Sequence, residues 1–284
     1  MEIVFSILYA LLIGFYNAFK KIALKKSGET AIMIIFTTIA FALSMIWIPF
    51  GVAIPWEFVP VFAFKGFLLA LSWYIILRVL KDVDLSAVTI TNVLSAVLTF
   101  VLGIIIFKET ANAYQITGSI IVVLGVALLN LTNKNSKNKL KLKHFLLLLI
   151  SIAITTCSCI IDKYTTTYLS AGQVQFWYLF FVMIFSWVFF LFDCVRSKKW
   201  LITRSDLANY WSYILGAFLF VGDMMLFLAY KVPNSQMIII NVIAKLQVIV
   251  PVLIGIWVFK EKKIALKIIL TLFIVLGVAL VSIS

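Results

Sequence analysis

Gly103-Ile104-Ile105-Ile106-Phe107-Lys108-Glu109, followed by Val123-Leu124-Gly125-Val126-Ala127-Leu128, has a counterpart later in the chain. It is Gly255-Ile256-Trp257-Val258-Phe259-Lys260-Glu261, followed by Val275-Leu276-Gly277-Val278-Ala279-Leu280. Gly103 and Gly255, Lys108 and Lys260, and Gly125 and Gly277 are each 152 positions apart. Three matches at one ungapped offset mark an internal duplication, and that duplication governs how the rest of the chain is read.

Composition sets the solvent. Of 284 residues, 64% are hydrophobic and the mean hydropathy is +1.15. A soluble domain is roughly 45–50% apolar, so this chain cannot bury its apolar surface in water and must use lipid. The net charge of +13 would suit a nucleic-acid binder if the basic residues formed one face. They fall instead in short runs between long apolar segments, as expected of loops facing anionic headgroups, so no nucleic-acid partner is expected. Cys157, Cys159 and Cys194 lie inside apolar segments, and His144 is the one histidine, so neither a disulfide framework nor a metal set is suggested and no cofactor is implied. The N-terminus carries Glu2 ahead of its apolar run and Lys20 and Lys21 behind it, the reverse of a cleaved signal, and reads as a first span.

A run of about 20 apolar residues crosses a bilayer as a helix, and the alternating strands of a membrane barrel are missing here. The sequence predicts an all-α integral membrane protein with ten transmembrane helices. They cover about 3–19, 30–50, 59–80, 86–107, 113–131, 145–163, 173–194, 207–230, 236–259 and 264–283. The polar stretch 132–143 divides them into a first repeat, 1–131, and a second, 144–284. Gly66 with Leu80-Lys81 and Gly216 with Tyr230-Lys231 add a further pairing, 150 positions apart, between spans 3 and 8. Five is odd, so consecutive halves enter the membrane from opposite sides. That is an inverted-topology repeat, an arrangement of transporters whose site lies near midplane. Basic residues crowd the loops after the odd-numbered spans, which the positive-inside rule puts in the cytoplasm, with both termini outside.

At the ends of spans 4 and 9 the sequence resembles the drug/metabolite transporter superfamily, EamA type. Gly103 to Glu109 and Pro251 to Glu261 carry the resemblance, each followed by a turn and a helix ending in Gly-Val-Ala-Leu. Similar proteins carry a proline in the middle of both spans. Pro251 fits, while Thr99 stands at the matching place in the first half. The resemblance implies a ten-helix exporter or importer of small metabolites in the cell membrane, working by alternating access, and not an enzyme. No phosphate-binding loop of the P-loop type occurs in the chain.

Polar groups within spans are costly and mark function first. Asp223 lies well inside span 8 and Lys245 near the middle of span 9, with Asn241 four residues earlier on the same face. They are expected either to line a cavity, contacting the solute or exchanging a proton, or to form an ion pair locking spans 8 and 9 together. Asn92, Ser95 and Thr99 make one polar stripe; Thr155, Ser158, Cys159 and Asp162 make another; Tyr9, Tyr16 and Lys20 share an arc of span 1 beside Asn17. Their alternative reading is hydrogen bonding between helices. Trp73-Tyr74 and Trp177-Tyr178 could wall a cavity, or serve as interfacial packing. Substrate contact is thus expected of Asp223, Lys245, Asn241, Asn92, Tyr16, Trp73 and Trp177. Lys65, Arg78 and Asp162-Lys163 read as solvated or snorkelling groups near helix ends. Glu109 and Glu261 read as caps of the following helix. The expected partners are a small solute and the bilayer, and a monomer would suffice. A membrane enzyme would need clustered His, Asp or Cys at one face, which the dispersed carboxylates do not offer. A non-transporting scaffold or lipid-handling protein is the alternative function.

Overall fold

In the structure, a computed structural model, residues 1–92, 94–108, 112–132, 141–259 and 264–282 are described. Glu109, Glu261 and most of the linker, with Lys134, Lys137 and Lys139, lie outside those residues, as do Lys260, Lys262 and Lys263. The first half holds α1 (Glu2–Ala23), α2 (Glu29–Ser44), α3 (Phe58–Asp82), α4 (Leu85–Asn92), α5 (Leu94–Phe107) and α6 (Ala113–Thr132). The second holds α7 (Leu142–Tyr168), α8 (Ala171–Ser197), α9 (Arg204–Leu207), α10 (Tyr210–Lys231), α11 (Met237–Ile243), α12 (Ile249–Trp257) and α13 (Ile264–Ser282). Seven stretches among the described residues are long and apolar enough to cross a bilayer: 2–23, 29–50, 58–82, 142–168, 171–197, 210–231 and 237–257.

Several helices outrun the apolar runs that predict them. α1 continues to Ala23, so Lys20 is inside the helix rather than in a loop. α7 continues from the expected end at 163 to Tyr168. There the hydroxyls of Thr165, Thr166 and Thr167 donate to the carbonyls four residues back, at 2.8, 2.7 and 2.9 Å. Such internal bonds let a threonine run stay helical without its own solvent. α2 ends in a 3-10 segment, Met45–Phe50, containing Pro49. Gly51 follows with φ of 87°, a left-handed turn that glycine adopts without a Cβ penalty. α8 opens on a capping box: Ser170 accepts from the Gln173 backbone at 3.2 Å, and Gln173 Oε1 accepts from the Ser170 backbone at 2.8 Å.

The ninth expected span is broken in its middle. α11 gives way to a 3-10 segment, Ala244–Val248, and α12 resumes at Ile249. Pro251 has no N–H to offer the carbonyl of Gln247, so the ladder cannot run through regularly. The first half has Thr99 there, which keeps its N–H, and α5 runs past it unbroken.

Helices of the first part of the chain pack on helices of the second. α3 lies along α7 and α8, while α10 lies along α1 and α2. α6 and α13 pair with each other. Gly66 makes the α3–α8 approach possible: a Cβ there would sit 2.5 Å from Phe181 Cβ and 2.8 Å from its backbone carbon. Gly216 does the same for α10 on α2, where a Cβ would sit 2.7 Å from Ile39 Cβ and 2.8 Å from the Phe36 carbonyl oxygen. Lipid offers no hydrophobic drive between helices, so close backbone approach of this kind holds them together. Phe36, Phe62, Leu77, Leu215 and Phe227 fill the core between the pairs.

Candidate functional site

A cavity of about 170 Å³ lies between the two halves. α1 contributes Tyr9, Tyr16, Asn17 and Lys20; α3 contributes Lys65 and Trp73; Asn92, Ser95 and Thr99 come from α4 and α5. From the second half come Thr155, Ser158, Cys159 and Asp162 on α7, Tyr178 on α8, and Asp223 on α10. The broken span supplies Asn241, Lys245 and Gln247. The 3-10 segment carries both Lys245 and Gln247, and both line this wall.

The polar groups are mostly tied to one another. Lys65 is 1% exposed and forms an ion pair with Asp162, joining α3 of one half to α7 of the other. Its ammonium also stands 4.2 Å from the Tyr178 ring centroid and 5.0 Å from that of Phe227. The Tyr178 hydroxyl donates to Asp223 Oδ2. Asn17 Nδ2 donates to Gln247 Oε1 at 3.1 Å, tying α1 to the 3-10 segment. Asn241 Nδ2 donates to the Tyr230 hydroxyl at 2.8 Å and to the Met237 carbonyl at 2.9 Å. Lys20 rests over the Tyr16 ring at 3.9 Å and 5.8 Å from that of Trp73.

Six of the seven residues expected at the site line this cavity: Asp223, Lys245, Asn241, Asn92, Tyr16 and Trp73. Trp177 does not line it; its indole N–H donates to the Val52 carbonyl at 2.7 Å, beside Phe176 and Phe181. Tyr178 takes its place, while Tyr74, next to Trp73, turns away and donates to Asp193 at 2.8 Å. Neighbours on a helix are about 100° apart, so only one of each aromatic pair can face inward. Of the two readings of Asp223 and Lys245, lining a cavity or forming an ion pair, the ion pair does not form among the described residues. Asp162 and Lys65, expected near helix ends, are buried partners instead. The signal for Lys65 was its depth: it is the eighth residue of α3, roughly 10 Å along the axis at 1.5 Å per residue. Arg78, read as snorkelling, has its Nη2 on both oxygens of Asp193 at 2.9 and 2.8 Å.

One buried ion pair, two further buried lysines and the half-buried Asp223 thus line a single cavity walled by both halves of the helical chain. Residues 1–131 match the family model described as the EamA-like transporter family. The first half of the chain is thus similar to a transporter family of the drug/metabolite transporter superfamily. With seven described stretches apolar enough to cross a bilayer, the protein is a multi-pass membrane protein. No curated protein matches. A solved structure titled "Crystal structure of protein" superposes with a TM-score of 0.65 over 95% of each chain, at 16% identity. The EamA-type half thus sits in a fold that recurs, over nearly the whole chain, in a known structure.

Proposed function

We propose that the protein is a secondary transporter that moves a small organic metabolite across the cell membrane by alternating access. In this reading α4 and α5 belong to one span, and α11 and α12 form one interrupted span, so that with α6 and α13 the spans number ten. The two halves, 1–131 and 144–284, are an inverted repeat joined by the linker 132–143. The reading is supported by the exchange of partners between halves, α3 on α7 and α8 matching α10 on α1 and α2.

The observation that carries the proposal is the cavity itself. Its walls come from both halves, and Lys20, Lys65, Asp162 and Lys245 on them are buried, with Asp223 half-buried, in a chain of membrane-spanning character. Rocking one half against the other would expose this one site to each side in turn. Asp223, Lys245, Asn241, Asn92, Tyr16 and Trp73 are the proposed solute contacts. The volume is well under the roughly 300–1,000 Å³ usual for drug-sized ligands, so the solute is compact.

The test is flux. Purified protein in sealed liposomes is loaded with one unlabelled small metabolite at a time, and entry of its labelled form is followed. Counterflow with at least one amino acid, amine or carboxylate is expected. Tight binding of lipid without flux of any solute would favour a scaffold or lipid-handling role instead. Repeating the assay with an imposed pH gradient tests coupling to a proton.

A further inference from the structure

The cavity wall carries three lysines, Lys20, Lys65 and Lys245, and two carboxylates, Asp162 and Asp223, with no other Arg, His, Asp or Glu. Both carboxylates already have a protein partner, Lys65 for Asp162 and Tyr178 for Asp223. Lys20 and Lys245 have neither a hydrogen bond nor an ion pair among the described residues, although they are only 3% and 9% exposed. Tyr16, 3% exposed, also has a buried hydroxyl without a hydrogen-bond partner among them. Buried ammonium and hydroxyl groups are stable when something accepts their hydrogen bonds. The surplus chemistry of this cavity is therefore donor chemistry.

We propose that the solute carries a carboxylate, accepted between Lys20 and Lys245 with the Tyr16 hydroxyl as a further donor. The proposal rests on the transport reading only for calling the bound molecule a solute; the binding it asserts needs no flux. The route between the two lysines is short in the fold. Asn17 and Lys20 are one turn apart on α1, Lys245 and Gln247 share one 3-10 segment, and Asn17 bonds Gln247. Ammonium and phenol groups act as separate point donors, which serve a carboxylate or a phosphate alike. The small volume favours a compact carboxylate over a phosphate ester. Asp223 lines the same cavity, so an ammonium on the far end of the solute is compatible with it.

The experiment measures binding to the purified, full-length protein in detergent, by calorimetry and by the rise in melting temperature. The probes share one skeleton: butyrate, 4-aminobutyrate, butylamine and butyramide, with inorganic phosphate as a separate arm. Butyrate and 4-aminobutyrate are expected to bind, and butylamine and butyramide are not. Lys20→Gln and Lys245→Gln are each expected to weaken butyrate binding by roughly 10- to 100-fold, the worth of a charged hydrogen bond. Lys81→Gln, at an exposed pair with Glu29 away from the cavity, is the control and leaves binding unchanged. Binding of butylamine without butyrate overturns the proposal, as does binding of none of the five probes. Butyrate binding that survives both lysine substitutions also overturns it, and phosphate binding in place of butyrate reassigns the anion. Butyrate binding without counterflow would sustain the anion site and defeat the transport reading for that solute.

Discussion

Lys65 and Asp162 belong to different halves of the chain, 97 positions apart, and meet as a buried ion pair on the wall of the central cavity. Removing one partner leaves the other charge buried and unpaired, which costs about 3–5 kcal/mol, whereas replacing both by apolar groups can be nearly neutral. Lys65→Met and Asp162→Leu are therefore each expected to lower the melting temperature sharply, and the double variant to recover most of the loss. Flux in the double variant would show whether the pair only joins the halves or also takes part in the cycle. A double variant as unstable as the single ones would mean the pair is not a self-contained unit.

The two glycines at matching places should behave alike. Gly66→Ala and Gly216→Ala each push a methyl into a neighbouring helix backbone closer than 3.0 Å. Overpacking of this kind costs about 1–3 kcal/mol. Similar drops in thermal stability are expected for both, and a much smaller one for Gly28→Ala, whose added Cβ meets nothing within 4 Å. Equal effects at all three positions would contradict the packing argument.

Tyr178 links the cavity's aromatic wall to Asp223. Tyr178→Phe keeps the ring over Lys65 and removes the hydroxyl that Asp223 accepts. The loss of one hydrogen bond to a carboxylate is expected to cost about 1.5–3 kcal/mol of stability. Asp223→Asn keeps an acceptor for that hydroxyl, so it is expected to fold but to change solute affinity, read as a shift in half-saturation in the liposome assay. Unaltered transport in both Asp223→Asn and Lys245→Ala would remove these two residues from the solute site.

Outside the spans, Asp206 clips one loop to another. Its Oδ2 accepts from the Thr203 backbone at 2.8 Å and hydroxyl at 2.6 Å, and its Oδ1 from the Gly28 backbone at 3.4 Å. Burial works to raise its pKa, but the bonds from Thr203, Ser27 and Gly28 outweigh it and hold the carboxyl below its ordinary 3.8. A carboxyl with a lowered folded pKa contributes stability that is fully present above 3.8 and is lost as the pH falls through the lower folded value. Asp206→Ala is expected to lose about 1 kcal/mol at neutral pH, as for a helix cap, and to flatten the acid limb of the melting-temperature profile. A profile unchanged by the substitution would contradict this.

Much of the fold was legible in the sequence because lipid imposes few solutions. Long apolar runs must be helices, and the two glycines paired in the sequence, Gly66 and Gly216, each admit a neighbouring helix. Sequence reading carries the ninth span from 236 to 259 as one helix, although Pro251 holds the local signal for its break, a missing N–H. The polar stripes of α1, α5 and α7 were also readable, because residues three and four apart share a helix face. What local pattern could not supply was the partner of each group. One of the two sequence readings pairs Asp223 with Lys245, near in the chain and opposite in charge. Tertiary packing instead brings Tyr178 to Asp223 and Lys65 to Asp162, across 45 and 97 positions. It also turns Tyr178 inward and Trp177 outward, a choice of helix rotation that depends on neighbouring helices and not on the helix itself. Composition and period determined that this chain spans a membrane as a helical bundle. Only the packing of one half on the other decided which buried charges are matched and which two lysines are left facing the cavity.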